Sequence, residues 1–168
     1  IQTFKNHVDK ERPTEPNEMR KLALLLDFDA DHFAHELHEA FEYTWGTDED
    51  RAYTALENLD AQRSYLVEHL YADNYGEDLR TRIASEMGGN EKKRAMALLD
   101  NDKKAAASAM IAESNGFFVK DKQLALDAIR LLPPGQADEL RRTHLAETGN
   151  TLDEDLTANA DFGDPPVD

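Results

Sequence analysis

Three histidines crowd one short stretch: His32, His35 and His38, interleaved with Glu36 and Glu39. Imidazoles and carboxylates are the usual ligands of zinc and nickel, and a zinc-dependent hydrolase sets two histidines four apart around a glutamate. Here His35 and His38 are three apart, and His32 and His38 lie about 120° apart around a helix. The histidines read as a flank able to hold adventitious or structural metal at His32/His35/His38, and not as a catalytic zinc site. Just upstream, Asp27, Asp29 and Asp31 have the one-three-five spacing of an EF-hand. Its sixth and twelfth positions are His32 and His38, where that loop needs Gly and Glu, so the EF-hand reading is set aside. No Ser or Lys falls in a nucleophile motif, and no glycine-rich phosphate loop is present. With no cysteine, disulfides, thiol catalysis and thiolate metal sites are excluded. No catalytic residues are assigned, and no small-molecule substrate is implied.

Charge narrows the partners. The 168 residues carry 19 Lys and Arg against 35 Asp and Glu, a formal net charge of −16. Nucleic acid phosphates would be repelled, and no basic stripe with interleaved aromatics offsets this. An anionic membrane would be repelled too unless cations bridge the surfaces. No stretch approaches the roughly 18 apolar residues of a membrane span. The chain starts at Ile1 without a signal-peptide pattern, so it reads as a soluble segment of a larger protein, secreted or delivered, with its addressing signals elsewhere.

Helices must position whatever chemistry there is. Phe33, Leu37, Ala40 and Phe41 share one helical face. The same spacing recurs in Ala52, Tyr53, Leu56 and Leu59, then in Leu66, Val67, Leu70 and Tyr71, then in Leu79, Ile83 and Met87, and in Ala95, Met96 and Leu99. Breaks fall at Gly46, Gly76, Gly88-Gly89, Pro133-Pro134-Gly135 and Gly149. Thr47 with Asp50, and Thr151 with Glu154, are spaced as helix caps. His69 and His144 lie in apolar-periodic helices and read as partly buried packing residues. No segment alternates with period two, so the fold is expected to be all-α.

The helices also repeat. Shifted by 73 positions, Asn17-Glu18 falls on Asn90-Glu91, Leu25-Leu26-Asp27 on Leu98-Leu99-Asp100, Ala52 on Ala125, Leu59 on Leu132, Gly76 on Gly149 and Leu79 on Leu152. The expected organisation is a lead-in over 1–16, the last helix of a preceding unit plus a full five-helix unit over 17–102, a degenerate unit over 103–160, and an acidic, proline-bearing tail over 161–168 that reads as disordered.

The run Trp45-Gly46-Thr47-Asp48-Glu49-Asp50 follows an apolar helix, with Gln62, Tyr75-Gly76-Glu77-Asp78-Leu79 and Ser85-Glu86-Met87 after it. This order resembles an annexin repeat: a Gly-Thr-Asp-Glu loop, a Gln-containing turn, Tyr/Phe-Gly-x-Asp-Leu and Ser-Glu-Leu-x-Gly. The likeness covers most of residues 30–100 and implies two annexin-like five-helix units plus the end of a preceding one. It also implies calcium as a cofactor, held by the carbonyls of Thr44 and Gly46 and by the carboxylate of Glu86, with anionic phospholipid as the partner. Thr44 stands where the family has glycine, and in the second unit Val119 and Asn159 replace the glycine and the acid. Trp45 at the loop tip suits membrane contact, but its counterpart Phe118 favours packing. The erosion of both loops favours a non-enzymatic interaction, scaffold or targeting module, partnered by other domains of its parent protein or by another protein. Calcium-dependent lipid binding is the alternative. Such divergent repeats resemble those of large bacterial proteins, some of them toxin-associated.

Overall fold

Aspartates start the helices, which accounts for a good part of the acidic excess. Asp29 accepts the His32 backbone N–H, Asp48 that of Arg51 and Asp78 that of Thr81. Asp60 accepts two, from Gln62 and Arg63, as do Asp102 from Lys104 and Ala105 and Asp121 from Gln123 and Leu124. A carboxylate here satisfies orphan donors of the first turn and faces the positive end of the helix dipole. Thr151 and Glu154 form the expected reciprocal box: Thr151 donates its N–H and hydroxyl to Glu154, whose own N–H goes to Thr151 Oγ1. The other expected cap differs. Asp48, not Thr47, caps the helix beginning at Glu49, because its carboxylate is the side chain within reach of the Arg51 N–H.

The computed structural model describes residues 16–26, 28–43, 46–114, 121–132 and 135–160. They form ten helices: α1 (Pro16–Leu25), α2 (Ala30–Phe41), α3 (Glu49–Glu57), α4 (Ala61–Tyr75), α5 (Leu79–Glu86), α6 (Gly89–Leu99), α7 (Lys103–Ser114), α8 (Lys122–Arg130), α9 (Ala137–Thr148) and α10 (Leu152–Ala160). No strand occurs among the described residues, and the architecture is all-α. No helix is long and apolar enough to cross a membrane. The tail expected over 161–168 and most of the lead-in lie outside the described residues.

The 73-residue register reappears in the helix bounds. Shifted by 73, α2 coincides with α7 and α3 with α8, the ends of α4 and α9 match, and so do the starts of α1 and α6 and of α5 and α10. Gly76 and Gly149, one shift apart, close α4 and α9 at φ +68° and +81°. Nothing lies within 4 Å of where a Cβ would stand at either glycine, so the left-handed dihedral sets the requirement there.

Contacts divide the chain into two compact units, one reaching to Gly88 and including Leu98–Asn101, the other comprising Gly89–Ala97 and everything from Asp102. In the first, α2 packs on α3 and α4, while α1 also lies on α4. Leu37, Leu56, Leu66, Leu70, Tyr71, Leu79 and Ile83 are fully buried there. In the second, α7 packs against α8, α9 and α10. Ala106 through Ile111 are all buried, so this helix is enclosed on every side and its alanines permit close approach. Around it Met110, Ile111, Ala128, Leu140 and Leu152 form the core, with Leu124, Leu131, Leu132 and Leu156 packed against it.

If aspartate caps carry this much of the local order, Asp60→Ala should lower stability to urea by about 1 kcal/mol, since two N–H groups lose their acceptor. Asp60→Asn, which retains an acceptor oxygen, should cost a fraction of that.

Candidate calcium loop and buried polar clusters

The loop after α2 is closed by backbone hydrogen bonds. Glu42 donates its N–H to the His38 carbonyl, Gly46 to that of Tyr43 and Asp48 to that of Ala40. Gly46 has φ +128°, a region open to glycine alone. Tyr43 is 56% exposed. Thr44 and Trp45 lie outside the described residues, which leaves Gly46 and Glu86 of the expected site residues on view.

Glu86, the last residue of α5, is brought to the end of α2, and a cation of the chain itself lies between them. Arg82 Nη2 donates to the Phe41 carbonyl at 3.1 Å and to Glu42 Oε1 at 2.8 Å. The same nitrogen lies 3.3 Å from Glu86 Oε1, and Nη1 lies 3.6 Å from Glu77 Oε2. The Arg82 side chain is only 20% exposed. Three carboxylates and a main-chain carbonyl thus surround one guanidinium. Oxygen donors of these kinds suit calcium, and calcium is consistent with the annexin likeness. Of the residues expected to hold the ion, Glu86 has its carboxylate facing Arg82. Among the described residues no group of three or more His, Cys, Asp or Glu is arranged to hold a metal.

The histidines of α2 converge on a tyrosine. His38 stacks on the Tyr75 ring, centroids 3.8 Å apart and planes 8° apart. His35 Nδ1 lies 3.3 Å from the Tyr75 hydroxyl, and His32 meets Phe33 edge-on. Burial, with Glu39 and Asp31 nearby, pushes the Tyr75 hydroxyl above its ordinary pKa. A shared metal at His32/His35/His38 would require these aromatic contacts to break. His69, expected to be partly buried, is exposed beside Tyr65, because its face of α4 points away from the Leu66–Leu70 stripe.

The sequence did not reveal a second polar constellation. Ser108 Oγ lies 3.0 Å from His144 Nδ1, and His144 Nε2 lies 2.8 Å from Asp155 Oδ2, whose other oxygen accepts from Asn150 Nδ2 at 3.2 Å. Serine, histidine and aspartate in this order could activate a hydroxyl for acyl transfer. Yet Ser108 and His144 have 0% exposure, so no substrate reaches the hydroxyl. The arrangement is a polar pin through α7, α9 and α10. Each partner satisfies another that would otherwise be buried at a cost. Its members come from three helices with no motif spacing; the one sequence signal was His144 on an apolar face.

No protein-family model matches the chain. Over 80 residues it is 38% identical to annexin A13 of Mus musculus, a span of 48% of this chain and 25% of that protein. Over 123 residues it is 25% identical to annexin D2 of Arabidopsis thaliana, 73% of this chain and 38% of the plant protein. It is an annexin-like repeat protein. The chain thus matches well under half the length of these annexin relatives. Among solved structures, annexin III aligns with TM-score 0.42 at 16% identity, covering 79% of this chain and 41% of that one, and chicken annexin V in complex with Zn2+ aligns at 0.41 and 17%, with the same coverage.

If the Ser108–His144–Asp155 pin is structural, Asp155→Ala should destabilise the protein by on the order of 1–3 kcal/mol, leaving His144 buried without its partner. Any background hydrolysis of an activated ester should be the same in wild type and Ser108→Ala. A loss of turnover specific to Ser108→Ala would restore the catalytic reading.

Proposed function

We propose that this chain is a non-catalytic annexin-like module that works as an interaction or scaffold domain, its natural partner being another helical repeat surface of its own kind. The observation that supports this is an inequality between equivalent positions. On α1, Leu24 and Leu25 are 77% and 84% exposed, and on α8, Leu126 and Ile129 are 49% and 46% exposed. Their counterparts one 73-residue shift away, Ala97, Leu98, Tyr53 and Leu56, are all buried, at 8% or less. The same repeat position is therefore apolar in both copies but covered in only one. Leu126 and Ile129 are three apart and share a helix face. Covering an exposed leucine or isoleucine fully is worth about 1.5–3 kcal/mol, a gain that counts against the cost of association.

Calcium-dependent binding to anionic phospholipid is the second reading. It is favoured by the placement of Glu86 beside the loop that follows α2, as the annexin likeness implies. On that reading Trp45 contacts the membrane, and Thr44, Gly46 and Glu86 hold the ion.

Sedimentation velocity separates the two. On the interaction reading the wild type self-associates with rising concentration, and Leu24→Glu/Leu25→Glu or Leu126→Glu/Ile129→Glu abolishes this. An equimolar mixture of the two double variants stops at a heterodimer, since each retains one face. A wild type monomeric at its highest soluble concentration overturns self-pairing. Calcium-dependent pelleting with phosphatidylserine vesicles, lost in Glu86→Gln, would establish the lipid reading in its place.

A further inference from the structure

We infer that Arg82 is a built-in cation, which ties the loop after α2 to the end of α5 and makes this tie independent of metal. The inference is separate from the self-pairing reading and stands or falls on different residues. Its starting point is the kind of oxygen gathered at one guanidinium: the Phe41 carbonyl and the carboxylates of Glu42, Glu86 and Glu77. A carbonyl and several carboxylates drawn from separate elements are what a hard divalent ion collects. Left without a cation, Glu42 and Glu86 would repel each other across the space between α2 and α5 and push the two helix ends apart.

Arg82 removes that repulsion from within. It sits one turn before Glu86, so it shares Glu86's helix face and its reach is set by α5 alone. A guanidinium presents five N–H donors in a planar fork and stays charged at any physiological pH. The two N–H groups of Nη2 go to the Phe41 carbonyl and Glu42, Glu86 faces the same nitrogen as an ion pair, and Nη1 faces Glu77. A free ion gives the same neutralisation only at a concentration near its dissociation constant, whereas a tethered one gives it always. The cluster is still acid-rich, with three carboxylates to one guanidinium, so deleting the positive charge should create a demand for a cation from solution.

The second unit shows that the device is local. The counterpart of Arg82 is Asp155, which turns inward to His144. The counterpart of Glu77 is Asn150, which donates to that same aspartate. The position that carries the cation in one unit carries an anion in the other, and the counterparts of Glu42 and Glu86 are the uncharged Asn115 and Asn159.

The test is thermal unfolding of wild type, Arg82→Gln, Arg82→Lys and Arg82→Gln/Glu86→Gln, each in excess chelator, in millimolar calcium and in equal magnesium. The wild type should melt at the same temperature in calcium and magnesium. Arg82→Gln should melt lower in chelator and recover by about 4 °C in calcium over magnesium, as expected if an ion then binds at several times its dissociation constant. The double variant should not recover. Arg82→Lys, charged but without the fork, should melt between wild type and Arg82→Gln. If Arg82→Gln proves too unstable to melt, calcium titration calorimetry on Arg82→Lys and wild type decides, with heat expected from neither. The inference is overturned if the wild type gains stability from calcium in a way that Glu86→Gln removes. It is equally overturned if Arg82→Gln shows no calcium-specific recovery, which would reduce Arg82 to an ordinary surface pair.

Discussion

The first unit is organised around the buried stripe of α2. Ala30, Ala34, Leu37, Ala40 and Phe41 recur at three- and four-residue spacing and are nearly or wholly inaccessible, which fixes the rotation of that helix against α3 and α4. Everything chemically notable nearby follows from that rotation. His35 and His38 fall on the flank that meets Tyr75, and Glu36 on the side that meets Arg51, whose Nε donates to Glu36 Oε2 at 2.8 Å. Because Phe41 is anchored in the core, its carbonyl is presented at a fixed place at the helix end, where Arg82 takes it. The loop, the aromatic cluster and the arginine hub are thus consequences of one apolar surface being buried.

A chain this acidic needs its carboxylates placed, and two devices place them. Some cap helices. Others gather around a few arginines that each serve several acids: Arg20 bridges Asp31 and Asp73 while donating to Asn74, and Arg80 bridges Glu68 and Asp100. The hydrogen bond to Arg20 holds the Asp31 carboxyl below the usual carboxylate range, and that from Arg51 does the same for Glu36. A depressed carboxyl lends stability above its unfolded pKa and loses it as pH falls through the folded value. These half-exposed pairs therefore weaken under acid, and solvent screening keeps each contribution small. Arg82 belongs to the same group but is more enclosed, and it reaches a main-chain carbonyl as well as acids.

Helix class, apolar faces and the repeat were legible because they are written in periodicities, and periodicity survives divergence. Leu37, Leu56, Leu70 and Ile83 stand where the 3.6-residue pattern put them, and Gly76 and Gly149 end α4 and α9 as their residue type demands. What was not legible depends on side chains meeting across helices. Nothing in the spacing marks Arg82 as a hub, since an arginine four residues before a glutamate is ordinary on any helix. The contest between Thr47 and Asp48 for one cap turned on loop geometry that spacing cannot resolve. Ser108, His144 and Asp155 come from three helices and form a relation only when packed. The contacts of the α2 histidines were hidden for the same reason, because the partner that meets two of them, Tyr75, is remote in sequence.

The two units also show how a repeat can keep its frame while exchanging its interior chemistry. Tyr71 and Arg82 in the first unit correspond to His144 and Asp155 in the second. Tyr71 is wholly buried, its hydroxyl has no hydrogen-bond partner among the described residues, and burial pushes its pKa up to about 12. The Arg82 charge opposes that rise while Glu77 adds to it. His144 in the same place has partners on both ring nitrogens, and the acid that satisfies one of them replaces the arginine. A buried histidine that donates to an acid cannot tolerate a guanidinium at that acid's position, and an outward cluster of glutamates cannot tolerate another acid there. Residues 82 and 155 thus differ in charge together with their neighbours at 71 and 144. The helix register is kept to the residue while the polar contacts built on these positions differ between the units.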